Sequence, residues 1–508
     1  MSKQRLVWAL GGESLCAPED TFPAYWAALG AGADGLVINV QLTLDQVPVC
    51  CRHETLEATC GDPRKVNKIT AEELRKLDAG AQFRSNELDE NNQPIGQGDD
   101  TPWEGPKHKQ VPLYHPTLEE VLRVFGRRTR LILVLDEPSS ANSIEFSDWD
   151  VLGDTVGRLL SRFSLTKSVI VTGHAASEVQ KRVPGIPQAY WHTTGVLTDP
   201  VPLIEKTRKR DCYLILDGRF CEDGKLRPTI EKALHRAAPV LIASIWPFTI
   251  SPAAHERLAK KKWLAGYVCR GVLPTAEMLR PRGLVIEDDF AGIQVTRDLW
   301  IMGSAKANQD ARIHQKDGLI IQIRKGGQYS SAAALTSCPI HGDFDAQVDF
   351  EVKSPQQGTT FELAAIQIDP GYRSINLTFD VHGAPPYASS ERDEDNGFRI
   401  GWNNGPAVTE FEKHTPQSSN IYNQYSRDVG DGSKSNPTGR LRLVRRGEVF
   451  NAYYTDKHNR QWVLSGTALI PTLAKDVFLR LAAKHWLKSG RTPPPNRVRF
   501  SKFRVYQH

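Results

Sequence analysis

The sequence predicts an α/β TIM-type (β/α)8 barrel followed by an all-β antiparallel sandwich. Between about residues 5 and 275, short apolar runs alternate with helical patterns, whereas after about residue 280 apolar and polar residues alternate with a period of two. The length of 508 residues also exceeds what one hydrophobic core normally serves. We therefore expect a barrel over residues 1–280 and a sandwich over residues 285–508.

The predicted barrel strands are short apolar runs rich in branched residues. They are RLVWAL, GLVINV, LILVLDE, SVIVTGH, PQAYWH, CYLILDG, PVLIASIW and AGYVCRG, with VPVCC as an extra strand of hairpin type. Helices are predicted between them, and two have a clear start. Thr70 with Glu73, and Thr117 with Glu120, have the three-residue spacing of a capping box.

In the second half, rows of alternating apolar residues predict strands with one buried face. One row runs from Phe344 to Val352 and another from Ile375 to Val381. The segment LRLVRRGEVFNAYY predicts a hairpin around a glycine turn, and VRFSKFRVYQ predicts a closing strand. The polar stretches 383–397 and 414–438 are the expected loops.

Composition excludes several classes of function. The 64 Lys and Arg residues against 59 Asp and Glu give a net charge of only +5, which argues against a nucleic-acid partner. No apolar run is long enough for a transmembrane segment, and the N-terminus lacks the features of a signal peptide, so we expect a cytoplasmic protein. The eight cysteines show no paired CxxC spacing, which favours buried free thiols over zinc ligands or disulfides.

Several ordered segments of the first half resemble one known family. They are APEDTFPAYWAALGAGADG, VQLTLDQVPV, ETLEATCG, ITAEELRKLDAG and PTLEEVL. In this order and spacing they resemble the glycerophosphodiester phosphodiesterase family, within the phospholipase-C-like phosphodiesterase barrels. The resemblance implies a TIM barrel, a divalent metal held by carboxylates, and a pair of catalytic histidines.

The positions that the resemblance assigns to this chemistry carry other residues here. The His-Arg pair of the first strand is replaced by Leu10 and Gly11, and the Glu-x-Asp pair of the second strand by Val37 and Asn39. Arg52 and His53 stand where the resemblance implies a histidine followed by aspartate. Val134 and Asp136 replace an acidic ligand and a lysine.

These replacements remove the implied chemistry. A hard divalent cation needs oxygen ligands, and leucine cannot exchange a proton near neutral pH. We therefore expect no bound metal and no cofactor. Because successive strand residues point to opposite faces, we also expect Arg52 to face the barrel mouth and His53 to face away from it.

Polar residues remain at the predicted carboxyl ends of the strands, where barrel enzymes place their active sites. Asp136 and Asp217 are candidates for a catalytic carboxylate pair, with His53 as a third catalytic candidate. The candidate ligand-binding residues are Asn39, Arg52, Glu137, His174, His192, Trp246 and Arg270. The alternative for each is an ordinary structural role, such as an ion pair between Asp136 and Arg52.

The second half resembles concanavalin- or laminin-G-like modules in DDFAG, DGLIIQIR, FDAQVDFEV and RFSKFRVYQ. That resemblance implies a carbohydrate-binding or adhesive role. Trp402, Tyr422 and Tyr425 lie in or near the polar loops, where they could present aromatic faces to a glycan or anchor the loops.

Three functions remain open from the sequence. The first is a repurposed barrel that binds a small polar ligand or glycan, either a carbohydrate or a polyol phosphate. The second is a metal-independent hydrolase or lyase of glycosidase type that uses the carboxylates at the mouth. The third is an active phosphodiester hydrolase. The sequence leaves the oligomeric state open.

Overall fold

The fold is known from a computed structural model of the chain. The structure describes residues 5–15, 17–88, 94–102, 113–135, 147–192, 199–207, 212–221, 226–236, 239–244, 252–279, 283–293, 299–304, 311–323, 329–353, 359–368, 373–380, 397–403, 438–455, 462–470, 473–486 and 496–507. The chain divides into two compact units, and the main division lies between residues 280 and 281.

The first unit contains 11 strands and all the α-helices in the described part of the chain. Its strands are β1 (Leu6–Leu10), β2 (Gly35–Leu42), β3 (Pro48–Cys50), β4 (Arg84–Leu88), β5 (Pro94–Pro102), β6 (Arg130–Val134), β7 (Val169–Thr172), β8 (Gln188–His192), β9 (Cys212–Asp217), β10 (Val240–Ser244) and β11 (Leu264–Cys269). Its α-helices are α1 (Phe22–Ala31), α2 (Glu57–Cys60), α3 (Ala71–Leu74), α4 (Leu118–Phe125), α5 (Ser147–Phe163), α6 (Ala176–Arg182), α7 (Val201–Thr207), α8 (Pro228–Leu234), α9 (Pro252–Ala259) and α10 (Val272–Leu279).

Eight parallel strands of this unit close into a barrel. They follow the order β1-β11-β10-β9-β8-β7-β6-β2, and the parallel pairing of β1 with β2 closes the ring. Strand β3 extends β2 in the antiparallel sense, as the hairpin-type segment VPVCC predicts. The predicted TIM-type barrel is therefore confirmed.

The barrel interior is filled by alternate residues of the parallel strands, as in other TIM barrels. Trp8, Leu10, Val37 and Ile132 belong to this buried apolar cluster. The helices pack outside it, and the two predicted capping boxes are present at α3 and α4. In each box the threonine side chain accepts from the glutamate backbone N–H, and the glutamate carboxylate accepts from the threonine backbone N–H.

The second unit is built from strands alone in its described part. The strands are β12 (Gly283–Asp288), β13 (Trp300–Ser304), β14 (Ala311–Gln315), β15 (Leu319–Ile323), β16 (Tyr329–Thr336), β17 (Ile340–His341), β18 (Phe344–Lys353), β19 (Thr359–Gln367), β20 (Arg373–Asp380), β21 (Gly397–Asn403), β22 (Thr438–Arg446), β23 (Val449–Thr455), β24 (Val463–Leu469), β25 (Asp476–Trp486) and β26 (Asn496–Gln507).

These strands form two antiparallel sheets around one core. One sheet has the order β14-β15-β26-β18-β22-β23-β24 with β12 beside β26, and the other has β13-β16-β25-β19-β20-β21 with β17 beside β25. The row from Phe344 to Val352 is buried on one face, and Ile375 and Leu377 belong to the same core. The predicted sandwich is therefore confirmed, while Val381 and most of the two long polar loops lie outside the described residues.

The predicted hairpin around Gly447 joins β22 to β23. Gly447 has φ 56°, in the left-handed region that glycine adopts without a steric cost. The cysteines that the structure describes are free thiols, and Cys338 is the exposed one among them. No helix in the described part of the chain is long and apolar enough to span a membrane.

Candidate functional site

The loop between β1 and α1 carries Glu19 to the barrel mouth. The Asp20 backbone N–H donates to the Gly11 carbonyl over 2.8 Å, and Asp20 adopts φ 55°. This tight turn fixes the Glu19 side chain beside two other segments. One is the coil that follows β3, and the other is the residue that follows β11.

Three basic side chains surround the Glu19 carboxylate. His53 Nε2 lies 2.5 Å from Glu19 Oε1, and Arg270 Nη2 donates to Oε2 over 2.5 Å. Arg52 Nη1 lies 3.5 Å from the same Oε2 atom. The Glu19 side chain is 10% exposed, whereas those of Arg52, His53 and Arg270 are 33%, 36% and 21% exposed. These four residues are termed the mouth cluster.

The neighbours of Glu19 keep it ionised. Burial alone would raise the pKa of this carboxyl, but the hydrogen bond with His53 and the charges of Arg270 and Arg52 outweigh burial. They hold the pKa of Glu19 well below its usual range. The mouth cluster therefore contains an ionised carboxylate among its basic groups at neutral pH.

Asp20 lies behind the mouth cluster and is fully buried. Tyr25 Oη donates to Asp20 Oδ1 over 3.1 Å, and Asn39 Nδ2 donates to Oδ2 over 3.4 Å. Burial and the nearby Glu19 charge raise the pKa of Asp20 to about 7. Two adjacent carboxyl groups in one turn thus have opposite preferences for the proton.

His115 is buried next to the turn at Asp20 and contacts its backbone. Its Nδ1 lies 3.4 Å from the Asp20 carbonyl oxygen, and its Nε2 lies 3.1 Å from Thr59 Oγ1. Burial lowers the pKa of His115 to about 4. A neutral, hydrogen-bonded histidine at this position is part of the scaffold of the turn.

The positions to which the resemblance assigns metal ligands and the first histidine are mostly apolar. Leu10 and Val37 belong to the buried barrel interior, and Val134 packs against them. Asn39 directs its amide nitrogen to Asp20. Gly11 has φ 67°, and a side-chain Cβ there would lie 3.2 Å from Glu19 Cβ.

One prediction about Arg52 and His53 is wrong. His53 does not face away from Arg52, because both side chains contact Glu19. Strand β3 ends at Cys50, so the alternation of strand residues no longer applies at residues 52 and 53. The structure also pairs Arg52 with Glu19, whereas Asp136 lies outside the described residues.

The other predicted site residues have separate surroundings. His174 stacks on Trp149 with ring centroids 4.2 Å apart. Buried His192 packs against Phe220 in a T-shaped arrangement with ring centroids 5.4 Å apart. Asp217 accepts from the Arg219 guanidinium at both carboxylate oxygens. A pairing of Asp217 with Asp136 stays a prediction, and Glu137, Trp246, Tyr422 and Tyr425 also lie outside the described residues. Trp402 lies in β21, in register with Ile375 of β20.

Sequence reasoning missed Glu19, Asp20, Tyr25 and His115. The segment APEDT, which contains Glu19 and Asp20, was used only as evidence for the family resemblance, and its acidic side chains were not considered as site residues. Their position could have identified them, because two acidic residues in the turn after the first strand lie at the barrel mouth. Arg270, by contrast, was found from its place after a strand.

Comparison with known proteins finds that part of the first unit is similar to one family. Residues 11–174 match the sequence profile of the Glycerophosphoryl diester phosphodiesterase family. YhdW of Bacillus subtilis strain 168, named as a glycerophosphodiester phosphodiesterase, is 30% identical over 192 residues, which are 37% of this chain and 64% of YhdW. A glycerophosphodiester phosphodiesterase of Caldanaerobacter subterraneus is 42% identical over 78 residues, which are 15% of this chain and 32% of that protein. The chain thus spans less than two thirds of either relative.

Solved structures of similar proteins include two barrels. A glycerophosphodiester phosphodiesterase from Agrobacterium tumefaciens aligns with a TM-score of 0.38 and 16% identity, covering 54% of this chain and 99% of that one. An Oleispira antarctica phosphodiesterase in complex with the product sn-glycerol-3-phosphate aligns with a TM-score of 0.41 and 18% identity, covering 54% of this chain and 97% of that one. On the profile match, residues 11–174 form a domain of the glycerophosphoryl diester phosphodiesterase family.

Proposed function

We propose that the barrel binds a small anionic ligand, an acidic carbohydrate or a polyol phosphate, and that it has lost the metal-dependent chemistry implied by its family. The observation that carries this proposal is the mouth cluster, in which Arg52, His53 and Arg270 converge at the ligand-binding end of the barrel. The second unit would add glycan or protein recognition of a lectin-like kind.

The residues present do not fit the divalent cation that the family implies. Val37 and Val134 offer no oxygen, and Asn39 turns its amide nitrogen to Asp20. Both oxygens of Glu19 already contact basic side chains. Among the residues that the structure describes, no group of three His, Cys, Asp or Glu side chains is arranged to hold a metal ion.

The two arginines have donors to spare for an anion. Each guanidinium carries five N–H groups in a planar fork that suits carboxylate and phosphate oxygens. Arg270 Nε is buried and has no hydrogen-bond partner among the described residues, and buried Arg52 Nη1 has only a long ion-pair contact of 3.5 Å with Glu19 Oε2 among them. Buried donors normally have partners, so an anionic ligand or ordered water is expected to satisfy them.

The test is calorimetry with sn-glycerol 3-phosphate and glucuronate, in EDTA and then with Mg²⁺ or Ca²⁺. We expect binding of at least one anion that EDTA does not change. Arg270→Leu should weaken it about tenfold or more through the loss of charge-assisted hydrogen bonds. Arg162→Leu, on the outer helix α5, is the matched control and should bind as the wild type does. Binding that requires the metal would contradict the proposal.

A second candidate function is a metal-independent acid–base enzyme. The contact between His53 Nε2 and Glu19 Oε1 favours it, because a carboxylate that orients an imidazole is a recurring arrangement for a general base. Activity on acidic glycosides that persists in EDTA and falls at least a hundredfold in His53→Gln would support this alternative. Equal rates in the two proteins would exclude His53 as the base.

A further inference from the structure

We infer that Glu13 is a positioning residue of the barrel mouth, which holds Arg270 in place for an anionic ligand by accepting a hydrogen bond from the backbone N–H of Val272. This inference rests on the proposed function, because it names a further residue that the same site needs. Arg270 is the residue that would touch the ligand, and Glu13 acts through it.

The connection that carries Arg270 is very short. Strand β11 ends at Cys269 and helix α10 begins at Val272, so Arg270 and Gly271 form the whole connection. The first N–H groups of an α-helix have no carbonyl partner within the helix, and the Val272 N–H is one of them. An acceptor for this N–H therefore fixes the start of α10 and, with it, the backbone from which the Arg270 side chain extends.

Glu13 supplies that acceptor from another loop. The Val272 N–H donates to Glu13 Oε2 over 2.8 Å, and Glu13 is only 1% exposed. An acidic side chain at the amino end of a helix is also favoured by the helix dipole. Because Glu13 is buried, water has little access to replace it as the acceptor.

The backbone of Glu13 is itself held firmly in the loop between β1 and α1. Its N–H donates to the Ala24 carbonyl over 2.9 Å, and its carbonyl accepts from the Ala17 N–H over 3.1 Å. Gly12 makes this approach to α1 possible, because it has φ 92° and a Cβ there would lie 2.5 Å from the Ala24 carbonyl carbon. The Glu13 side chain thus extends from a fixed base.

The same loop contacts the connection at a second point. Glu19 contacts the Arg270 guanidinium, so Glu19 orients the side chain of Arg270 while Glu13 fixes the backbone two residues further on. Loss of Glu13 would keep the first contact and release the second. A binding group needs to be held within about 0.5 Å of its productive position, and its supporting residues provide that precision.

The experiment measures binding of sn-glycerol 3-phosphate and glucuronate by calorimetry in EDTA to the wild type, Glu13→Ala and Glu13→Gln. We expect Glu13→Ala to weaken the anion that binds the wild type by about tenfold, as loss of an outer partner does at metal sites. Glu13→Gln keeps a side-chain oxygen for the Val272 N–H and should bind as the wild type does. A direct effect of charge has the opposite sign, because removing a negative group near the arginines would strengthen anion binding.

Asp34→Ala is the matched control for a loss of stability alone. Asp34 Oδ2 accepts from the Val7 N–H over 2.8 Å, which is the same kind of bond at the opposite end of the barrel strands. This variant should lose stability in urea and bind the anion as the wild type does. In an Arg270→Leu background, Glu13→Ala should change the affinity by less than about twofold, because residues that act through one another have non-additive effects.

The outcomes separate this inference from the proposed function. Wild-type affinity in Glu13→Ala, equal weakening in Glu13→Ala and Glu13→Gln, or an undiminished effect in the Arg270→Leu background overturns the inference and leaves anion binding intact. If Glu13→Ala does not fold, Glu13→Asp, whose side chain is one methylene shorter, takes its place with the same expectations. An absence of binding of either anion by the wild type overturns both.

Discussion

Glu19 and Asp20 are consecutive residues with opposite electrostatic roles. Glu19 is ionised because it contacts His53 and two arginines, while buried Asp20 accepts hydrogen bonds from the side chains of Tyr25 and Asn39. Since both cannot easily be charged in this space, ionisation of Glu19 favours the protonated form of Asp20. This division makes the stability of the turn depend on pH.

Asp20→Asn should therefore change the pH dependence of stability. The folded-state pKa of Asp20 is raised to about 7, so its stabilising contribution is present below its ordinary pKa and is lost as the pH rises through 7. Asparagine does not ionise, so the variant does not lose stability in this way as the pH rises. We expect the variant to gain stability over the wild type between pH 4 and 7, by about 1.4 kcal/mol per unit of pKa shift, and to keep that gain above pH 7.

Urea unfolding of wild type and variant from pH 4 to 8.5 measures this difference. Glu19 adds little to the pH dependence in this range, because a carboxyl with a lowered pKa keeps its stabilising contribution above its ordinary pKa of 4.5 and loses it only as the pH falls below that value. A difference between Asp20→Asn and wild type that does not vary with pH would refute the assignment.

Restoring the first histidine and arginine of the family should not restore its activity. Leu10 is buried in the barrel interior, and Gly11 has a left-handed φ of 67° that arginine adopts at a cost of about 1–3 kcal/mol. Catalytic groups that act as a unit also have strongly non-additive effects. We expect Leu10→His, alone or with Gly11→Arg, to show no hydrolysis of glycerophosphocholine with Mg²⁺ or Ca²⁺.

The matched measurement is the same assay on the wild type, where we also expect negligible turnover. Robust metal-dependent hydrolysis by the wild type, abolished by Arg52→Ala or His53→Ala, would mean that the catalytic positions have been assigned wrongly. The label of phosphodiesterase would then apply to this chain as well as to its relatives.

At the scale of single elements, local rules predicted boundaries well where the chain is regular. Thr117 begins α4 with a complete capping box, and the helix buries Leu118, Val121 and Leu122. The same kind of rule failed at His53, because β3 has only three residues and ends before it. Strand alternation describes a regular strand and says nothing about the coil that follows.

Thr117→Ala tests the contribution of this cap. Alanine removes the oxygen that accepts the Glu120 N–H over 3.2 Å, and Glu120 loses its hydrogen bond from the Thr117 hydroxyl. We expect a loss of about 1 kcal/mol in the free energy of unfolding, measured with urea. Thr117→Ser keeps the hydroxyl and should lose less than half as much. Equal losses in the two variants would show that the methyl group, not the cap, matters.

At the scale of the whole molecule, the change of pattern near residue 280 was enough to predict both architectures. The period of two in the second half and the alternation of strands with helices in the first are global signals that many residues share. The site was harder, because Glu19 meets Arg52 and Arg270 only through barrel closure. These long-range contacts depend on the conformation of the turn at Asp20, and the hydrophobic periodicity of the sequence does not reveal that conformation.

Each unit has a hydrophobic core of its own, so we expect two separate unfolding transitions in scanning calorimetry. Ile132 lies in the barrel interior and Leu363 in the core of the sandwich, and both are fully buried. Truncation to alanine at such sites costs about 2–5 kcal/mol. Ile132→Ala should lower the Tm of one transition and Leu363→Ala that of the other, while the exposed Leu44→Ala should change neither. A single transition that both core variants shift equally would contradict independent unfolding and would mean that the two cores unfold as one cooperative structure.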